Sequence, residues 1–311
     1  MSLPTGLTPL AGATLVITGI ALAGLLGAGA FALLRRRATA GLAPRTALAR
    51  AGSYAGLAAV LVVTAWAGVA GIAVLVLGLS VLGLVEWSRL FDLPIHHRIA
   101  LLVAAAAVVA GVAVLGASAA DWLVGGLVLV GATWPVLRVD TGRAVRDLGM
   151  AAVGFIVIPV MLVHAVALVV ARGEGGLVVF LALAVACAAA DVAAFVVGRR
   201  FGRTPLVPRL SPNKTRVGVV GNLVGAAIGI GLFTPMLVPV LGGGVTLALV
   251  PLVAGGSVWG DLLESAVKRE AGVKDAGTWL PGFGGILDRI DSLLVTVALA
   301  YWLIRLAVPL P

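Results

Sequence analysis

The stretch Ser265–Asp291, which reads SAVKREAGVKDAGTWLPGFGGILDRID, separates two long apolar runs near the end of the chain. Pro281-Gly282 and Gly284-Gly285 give it a backbone that can turn sharply and lie close to a ligand. The apolar runs on either side are each long enough to form a membrane helix. We therefore predict two membrane helices joined by a polar, glycine-rich segment.

Charged side chains gather on one face of each of these helices. On the first helix, four residues share a face because they fall at i, i+3, i+4 and i+7: Asp261, Glu264, Ser265 and Lys268. Asp288 and Asp291 share a face at the start of the second helix. Fixed carboxylates beside Lys and Arg suit a hard cation that is held together with a polyphosphate. These residues predict a membrane-embedded site for phosphoryl-group chemistry.

The composition is that of an integral membrane protein. The chain has 311 residues, of which 61% are hydrophobic and only 11% charged, and its mean hydropathy is +1.16. A soluble domain carries about a quarter charged residues. Apolar runs, most of them near the roughly 20 residues that span a bilayer, cover 10–34, 53–66, 68–88, 99–117, 121–137, 149–171, 176–198, 217–237, 241–266 and 287–308. The second and third runs are separated only by Trp66-Ala67-Gly68, so they form either one helix or two.

The distribution of Lys and Arg favours two helices there. With ten helices and the N-terminus outside, 20 of the 22 Lys and Arg residues fall in cytoplasmic segments, and only Arg172 and Arg305 do not. Merging the two runs would reverse every later segment and destroy this agreement. We predict an all-α, polytopic plasma-membrane protein with about ten helices and a polar site facing the cytoplasm. The basic loops also explain the net charge of +9 without any nucleic-acid partner, and they attract anionic membrane lipids.

The polar stretch is similar to the signature of the phosphatidate cytidylyltransferases, or CDP-diacylglycerol synthases. The matching elements stand at the family's spacings: Ser265, Lys268-Arg269, Lys274-Asp275, Pro281-Gly282, Gly284-Gly285, Asp288-Arg289 and Asp291. One position departs, because the family has histidine where this chain has Phe283. Losing a residue that can donate to phosphate predicts an enzyme that is active but slow for its family.

A second resemblance lies upstream, so the similar region covers roughly residues 185–295. The motif SPNKT at 211–215 resembles a family element, but Val217 stands where the family has glutamate. Asp191 lies inside an apolar run, which is costly for an ionisable residue and marks a functional candidate. The family has Ser or Thr after this aspartate, whereas Val192 follows here. We divide the chain into divergent N-terminal helices at 1–150 and a catalytic membrane region at 151–311.

The resemblance implies transfer of a cytidylyl group from CTP to phosphatidate, which gives CDP-diacylglycerol and pyrophosphate for phospholipid synthesis. It implies Mg²⁺, alone or with a second cation, held by four carboxylates: Asp261, Asp288, Asp291 and Glu264. The implied catalytic residues are Asp261, Asp288, Lys268, Arg269 and Asp191. Substrate contacts are implied for Ser211, Lys214, Thr215, Ser265, Lys274, Arg289, Gly284 and Gly285. The expected partners are CTP, phosphatidate and membrane lipids, and a homodimer is compatible with them.

Other interpretations of the same residues stay open. Asp288 and Asp291 at a helix start would complement the helix dipole, and Asp261 or Glu264 would pair with Lys268 near a helix end. Asp191 would pair with an arginine one or two turns away, and SPNKT alone is typical of a turn. A relative that acts on another lipid phosphate or a lipid alcohol would share the basic loops. A catalytically silent lipid-binding protein or a transporter would explain the departures from the family pattern.

Overall fold

The computed structural model describes residues 8–36, 43–137, 144–273 and 285–308, and these are almost entirely helical. The helices, numbered in chain order, are α1 (Pro9–Arg36), α2 (Ala43–Trp66), α3 (Gly68–Leu90), α4 (Ile95–Leu115), α5 (Ala119–Leu137), α6 (Ala144–Arg172), α7 (Glu174–Phe201), α8 (Arg216–Leu241), α9 (Gly243–Glu270) and α10 (Leu287–Ala307). Within the described ranges, seven of them (α3, α4 and α6–α10) are long and apolar enough to cross a membrane. The predicted all-α membrane architecture is confirmed, and the count of ten spans stays a prediction.

The helix breaks between α2 and α3, where the charge distribution predicted a break. Ala67 is a turn residue, and Gly68 has a φ of 64°, in the left-handed region that disfavours residues with a side chain. The stretch 53–88 therefore contributes to two helices rather than one, as the count of basic residues required.

The middle of α6 is irregular, although the helix is continuous. Ala144–Phe155 is α-helical, Ile156–Val160 forms a π-helical turn, and Met161–Arg172 returns to α-helix. Pro159 lies in this turn. Proline has no N–H to donate, and the wider π-turn accommodates the missing backbone bond. The helix begins a few residues earlier than the apolar run at 149–171 indicated.

A short antiparallel hairpin joins α7 to α8. Strand β1 (Pro205–Val207) pairs with β2 (Ser211–Thr215), so that Pro205 lies opposite Thr215 and Val207 opposite Ser211. The interpretation of SPNKT as a turn is therefore wrong, because the motif is a strand that leads into α8. In a two-stranded hairpin both strands are edge strands, where a proline without an N–H is tolerated.

Glycines allow the C-terminal helices to pack closely. A Cβ at Gly225 of α8 would overlap the Ala189 carbonyl oxygen of α7, and a Cβ at Gly229 would overlap Ala186. A Cβ at Gly260 of α9 would overlap the Asp291 carbonyl oxygen of α10. Small residues that let backbones approach are typical of helix packing in membranes. The backbones of α9 and α10 consequently meet beside the carboxylates of the predicted site.

The predicted site residues lie at one end of the helix bundle, here called the site end. Helices α7 and α9 finish there, and α8 and α10 begin there. Helix α3 also finishes there, because Glu86 near its end accepts hydrogen bonds from Ile286 and Leu287 at the start of α10. At the opposite end, Arg172 donates to the Val308 carbonyl at 2.8 Å. The N-terminal and C-terminal halves of the chain therefore meet at the site end.

Candidate active site

The polar side chains of the site end form two layers. The outer layer consists of Lys214, Asp261, Glu264, Lys268 and Asp288. The inner layer lies deeper in the bundle and consists of Asp191, Asn222, Ser257 and Ser292. Strand β2 and helices α9 and α10 supply the outer layer, and α7–α10 supply the inner one. Side chains that are far apart in the chain thus form one polar cluster.

Lys268 joins the two helices of the outer layer. Its Nζ donates to Glu264 Oε2 at 2.7 Å, one turn earlier on α9, and to Asp288 Oδ1 at 2.8 Å on α10. The other Asp288 oxygen accepts from the Gly285 N–H at 2.9 Å. The Lys268 side chain is 17% exposed, so these ion pairs are only weakly screened by solvent. The helix-end pair suggested by the sequence is present, and it extends across to the second helix.

Lys214 brings the SPNKT strand to the same layer. Its Nζ forms an ion pair with Asp261 Oδ2. The Lys214 and Asp261 side chains are 26% and 31% exposed, which is more than for the other members of the layer. The Lys214–Asp261 pair is therefore the more exposed part of the outer layer, although the Lys214 Nζ atom itself is buried.

Asp191 is held in the inner layer by neutral donors. It lies ten residues before the end of α7, which corresponds to a depth of about 15 Å at 1.5 Å per residue. Its Oδ1 accepts from Ser257 Oγ at 2.6 Å, and its Oδ2 accepts from Ser292 Oγ at 3.1 Å. Asn222 Nδ2 donates to Ser257 Oγ at 3.0 Å, which leaves the serine proton for Asp191. Among the described residues Asp191 forms no ion pair, so the alternative in which it pairs with an arginine finds no support there.

Asp291 lies between the two layers. It is 7% exposed, and its Oδ1 accepts from the Ser292 N–H at 2.8 Å. Its carboxyl group lies beside that of Asp261. Two carboxyl groups in such proximity repel each other unless a proton or a cation is shared between them. Added positive charge beside the Asp261–Asp291 pair is therefore favourable.

The donor chemistry of the cluster fits a hard divalent cation. Carboxylate oxygens are the protein ligands that Mg²⁺ prefers, and the cluster provides them from two helices. Glu264 Oε1 is buried and has no hydrogen-bond partner among the described residues. Within those residues, no group of three Asp, Glu, His or Cys side chains is arranged to hold a metal ion directly. In this arrangement Lys214 forms an ion pair with Asp261, and Lys268 forms ion pairs with Glu264 and Asp288.

Two of the predicted hydroxyl contacts are engaged with the backbone. Ser265 Oγ donates to the Asp261 carbonyl at 2.8 Å within α9. Thr215 is the N-cap of α8, and its Oγ1 accepts from the Gly218 N–H at 3.1 Å. This bond satisfies one of the free N–H groups at the helix start. The Thr215 hydroxyl can still donate its proton to another acceptor, whereas the Ser265 hydroxyl already donates its proton to the backbone. Ser211 opens β2 and is half-buried.

The remaining predicted residues surround the outer layer. Arg269 and Arg289 are exposed at the site end, and Arg269 Nε lies 3.5 Å from the Leu210 carbonyl of the hairpin. Gly285 contributes its N–H to Asp288. Residues 274–284 lie outside the described residues, and they include the departing Phe283 and five positions of the signature: Lys274, Asp275, Pro281, Gly282 and Gly284.

The neutral partners of Asp191 were not predicted from the sequence. Ser257 is 0%, Asn222 2% and Ser292 3% exposed, so each is a buried polar group that requires a partner. The position of each serine in the sequence could have indicated its place in the site. Ser257 lies one turn before Asp261 on the same helical face, and Ser292 directly follows Asp291. Asn222 has no comparable neighbour in the sequence.

An open groove lies on the outer surface of α7, one turn beyond Asp191, and was not predicted from the sequence. It has a volume of about 440 Å³ and is lined by Phe195, Val196, Arg199 and Arg200. Phe195 is 65% exposed, and the Arg199 guanidinium lies 5.9 Å from the centre of its ring. The groove thus combines an apolar wall with two basic side chains at its rim.

Comparison with known proteins identifies a family for this chain. The profile of the family described as Cytidylyltransferase family matches residues 48–307. The chain belongs to this family. The match extends well into the N-terminal half, where the sequence alone showed no motif. The family membership expected from the Ser265–Asp291 signature is confirmed.

Three relatives illustrate the similarity. Phosphatidate cytidylyltransferase 5, chloroplastic, of Arabidopsis thaliana is 47% identical over 131 residues, which are 42% of this chain and 33% of the relative. Phosphatidate cytidylyltransferase of Brucella suis is 47% identical over 111 residues, or 36% of this chain and 41% of the relative. That of Mycobacterium leprae is 41% identical over 127 residues, or 40% of this chain and 39% of the relative. The matched part therefore spans less than half the length of each relative.

Proposed function

We propose that the protein transfers a cytidylyl group from CTP to phosphatidate and releases pyrophosphate. The observation that carries the proposal is the direct pairing of separate signature elements, Lys214 with Asp261 and Lys268 with Asp288. These elements come from β2, α9 and α10. Membership of the cytidylyltransferase family and the names of the relatives support the same reaction.

The reaction places strong demands on charge and position. A phosphate oxygen of phosphatidate attacks the α-phosphorus of CTP and forms a new P–O bond, while the bond from that phosphorus to the bridging oxygen of pyrophosphate breaks. Both reactants are anions, so positioning and charge neutralisation account for most of the catalysis. Lys214 and Lys268 supply ammonium groups within the outer layer, and the exposed Arg269 and Arg289 add positive charge at the site end.

We propose Mg²⁺ as the cofactor, with the carboxylates of Asp261 and Asp288 as its main ligands and those of Asp291 and Glu264 in support. When bound, the cation would neutralise phosphate oxygens and stabilise the charge that develops on the leaving pyrophosphate. In the structure, Lys214 forms an ion pair with Asp261, and Lys268 forms one with Asp288. Once released from them, the two ammonium groups would be available to phosphate oxygens of the substrates.

For the lipid substrate, we propose that phosphatidate binds in the groove on α7. Phe195 and Val196 offer an apolar surface for an acyl chain, and Arg199 and Arg200 offer positive charge for the lipid phosphate. The groove lies near the end of a helix that is long and apolar enough to span a membrane. Its charge and its position therefore both suit an anionic lipid.

We propose that the protein resides in the plasma membrane, with the site end facing the cytoplasm. The support is the predicted placement of 20 of the 22 Lys and Arg residues in cytoplasmic segments, which include the SPNKT hairpin and the segment after α9. This orientation would give the site access to CTP.

The test supplies purified protein, reconstituted with phosphatidate and Mg²⁺, with CTP that is labelled at one of two phosphates. With CTP labelled at the α-phosphate, the label should appear in a lipid product, and with CTP labelled at the γ-phosphate it should appear in pyrophosphate. A parallel reaction with diacylglycerol in place of phosphatidate tests a CTP-dependent lipid-alcohol kinase, which would move the γ-label to lipid. Transfer of neither label by folded protein would contradict the proposal and favour a silent lipid-binding protein.

A further inference from the structure

We infer that Glu86, in the half of the chain without recognisable motifs, is a positioning residue for Asp288 in the reaction proposed above. Glu86 lies near the end of α3 and is 1% exposed. Its Oε1 accepts from the Ile286 N–H at 2.8 Å, and its Oε2 accepts from the Leu287 N–H at 2.9 Å. Both oxygens of one buried carboxylate are thus directed at consecutive backbone groups of another helix.

These two N–H groups belong to the start of α10, which has no cap of its own. Ile286 is the N-cap residue and provides no side-chain hydrogen bond. The first N–H groups of a helix lack intrahelical acceptors, and the helix dipole favours negative charge beside them. Glu86 meets both requirements from a helix about 200 positions earlier in the chain. Among the described residues it forms no ion pair, so its charge is directed at the start of α10.

The neighbours of Glu86 fix its position. Trp87 is 2% exposed, and its Nε1 donates to the Met150 carbonyl at 2.9 Å. Gly83, one turn earlier, faces Leu287 so closely that a Cβ there would lie 3.2 Å from Leu287 Cδ2. The end of α3 is therefore packed against both α6 and the start of α10, and Glu86 has little freedom to follow a displaced partner.

The capped turn leads directly into the outer layer. Asp288 follows Leu287, and its two oxygens contact Lys268 and the Gly285 N–H. If the first turn of α10 shifts or frays, Asp288 moves away from Lys268 and from the other carboxylates. The hydrogen bonds of Glu86 within the described ranges go to backbone N–H groups of this turn, so it acts on the reaction through the position of Asp288.

The experiment combines kinetics with amide hydrogen exchange on the full-length protein. Glu86→Gln keeps the volume of the side chain but turns an amide group toward one of the two N–H donors. Glu86→Ala removes both acceptors. The matched control is Ser80→Ala, because Ser80 is also fully buried on α3 and has no hydrogen-bond partner for its hydroxyl among the described residues.

We expect Glu86→Gln and Glu86→Ala to lower kcat for CDP-diacylglycerol formation by about 10–100-fold, the usual effect of losing a residue that orients a ligand. The KM for CTP should change much less, and the backbone amides of residues 285–291 should exchange faster. Ser80→Ala should leave both kcat and this exchange unchanged. Unchanged exchange in that segment would overturn the inference, as would faster exchange with unchanged kcat. If the wild type forms no product, the proposed function fails, but the exchange result still decides whether Glu86 caps α10. If Glu86→Ala does not fold, the Glu86→Gln result decides.

Discussion

The two polar layers of the site end stabilise buried carboxylates in different ways. In the outer layer the carboxylates are paired with ammonium groups, as Glu264 and Asp288 are with Lys268. In the inner layer the donors to Asp191 within the described part of the chain are neutral, and the nearest is Ser257 Oγ at 2.6 Å. That distance is typical of a hydroxyl group donating to a carboxylate. The paired charges lie nearest to the end of the bundle, and the hydroxyl-bound charge lies deeper.

This difference indicates separate roles for the two layers. A lysine can leave one anion and bind another, so the outer layer can exchange partners when a phosphate arrives. The serine hydroxyls are fixed on α9 and α10 and move only with those helices. Asp191 therefore ties α7 to α9 and α10, which carry the outer carboxylates. We expect the outer layer to act on substrate and the inner layer to keep the outer layer in position.

The largest effect is expected for Asp288→Asn in the outer layer. The amide keeps the shape of the side chain, but it carries no charge for Lys268 or for Mg²⁺, and its NH₂ group cannot accept from the Gly285 N–H. The rate of CDP-diacylglycerol formation should fall by about 10³-fold or more at every Mg²⁺ concentration. The measurement is a magnesium titration with protein shown to be folded by size-exclusion chromatography.

The matched control is Asp121→Asn, near the start of α5 and at the predicted opposite surface. It should retain wild-type activity within about twofold, as surface substitutions usually have small effects. If Asp288→Asn is as active as the wild type, Asp288 is not a ligand of the metal and does not have the role proposed for the outer layer.

A smaller effect is expected for Asp191→Asn in the inner layer. The substitution keeps one acceptor for the serine hydroxyls but removes the charge that both of them bind. The rate should fall by about 10–100-fold, as for other residues that support a site without contacting substrate. The Mg²⁺ concentration at half-maximal rate should remain close to that of the wild type. A loss as large as that of Asp288→Asn, with a shifted Mg²⁺ requirement, would mean that Asp191 itself binds the cation and that the two layers act as one.

The sequence predicted the outer layer much better than the inner one. Lys268 and Asp288 belong to a recognisable signature, and Asp261 shares a helical face with Lys268, so these residues and their faces could be predicted from the sequence. Their partners across elements were not readable, because the meeting of α9 with α10 depends on close packing at Gly260. The buried carboxylate Glu86 belongs to no recognised motif, and only the three-dimensional packing brings it to α10.

The fold shows the same contrast between local and non-local information. The break at Ala67-Gly68 was predictable, since the distribution of basic residues required it and a glycine permits it. The hairpin around SPNKT was not predicted, because a proline in a short polar motif is typical of a turn. Strand pairing depends on a second segment, Pro205–Val207, that has no signal of its own.

A still smaller effect is expected in the groove on α7, which lies outside both layers. The double substitution Arg199→Ala and Arg200→Ala should raise the KM for phosphatidate by about tenfold, the equivalent of about 1.4 kcal/mol, with little change in the KM for CTP. Kinetics at varied phosphatidate and fixed CTP give this value. The control is Arg203→Ala, an equally exposed arginine that does not line the groove. If Arg203→Ala raises the KM for phosphatidate by the same factor, the arginines of the groove only attract anionic lipid in general.

The smallest effect is expected for Val192→Ser, which restores a residue type that the related family carries after its aspartate. Val192 is 60% exposed and points away from the polar cluster, although it directly follows Asp191. Asp191 already accepts hydrogen bonds from the hydroxyl groups of Ser257 and Ser292. We therefore expect Val192→Ser to change turnover by less than about twofold, since exposed substitutions away from a site usually have small effects. Ser257→Ala, which removes a hydroxyl that does contact Asp191, serves as the positive control and should lower turnover. A severalfold gain in turnover with Val192→Ser would show that a side chain at position 192 can reach the site. The proposal that the exposed surface of α7 is separate from the inner layer would then be wrong.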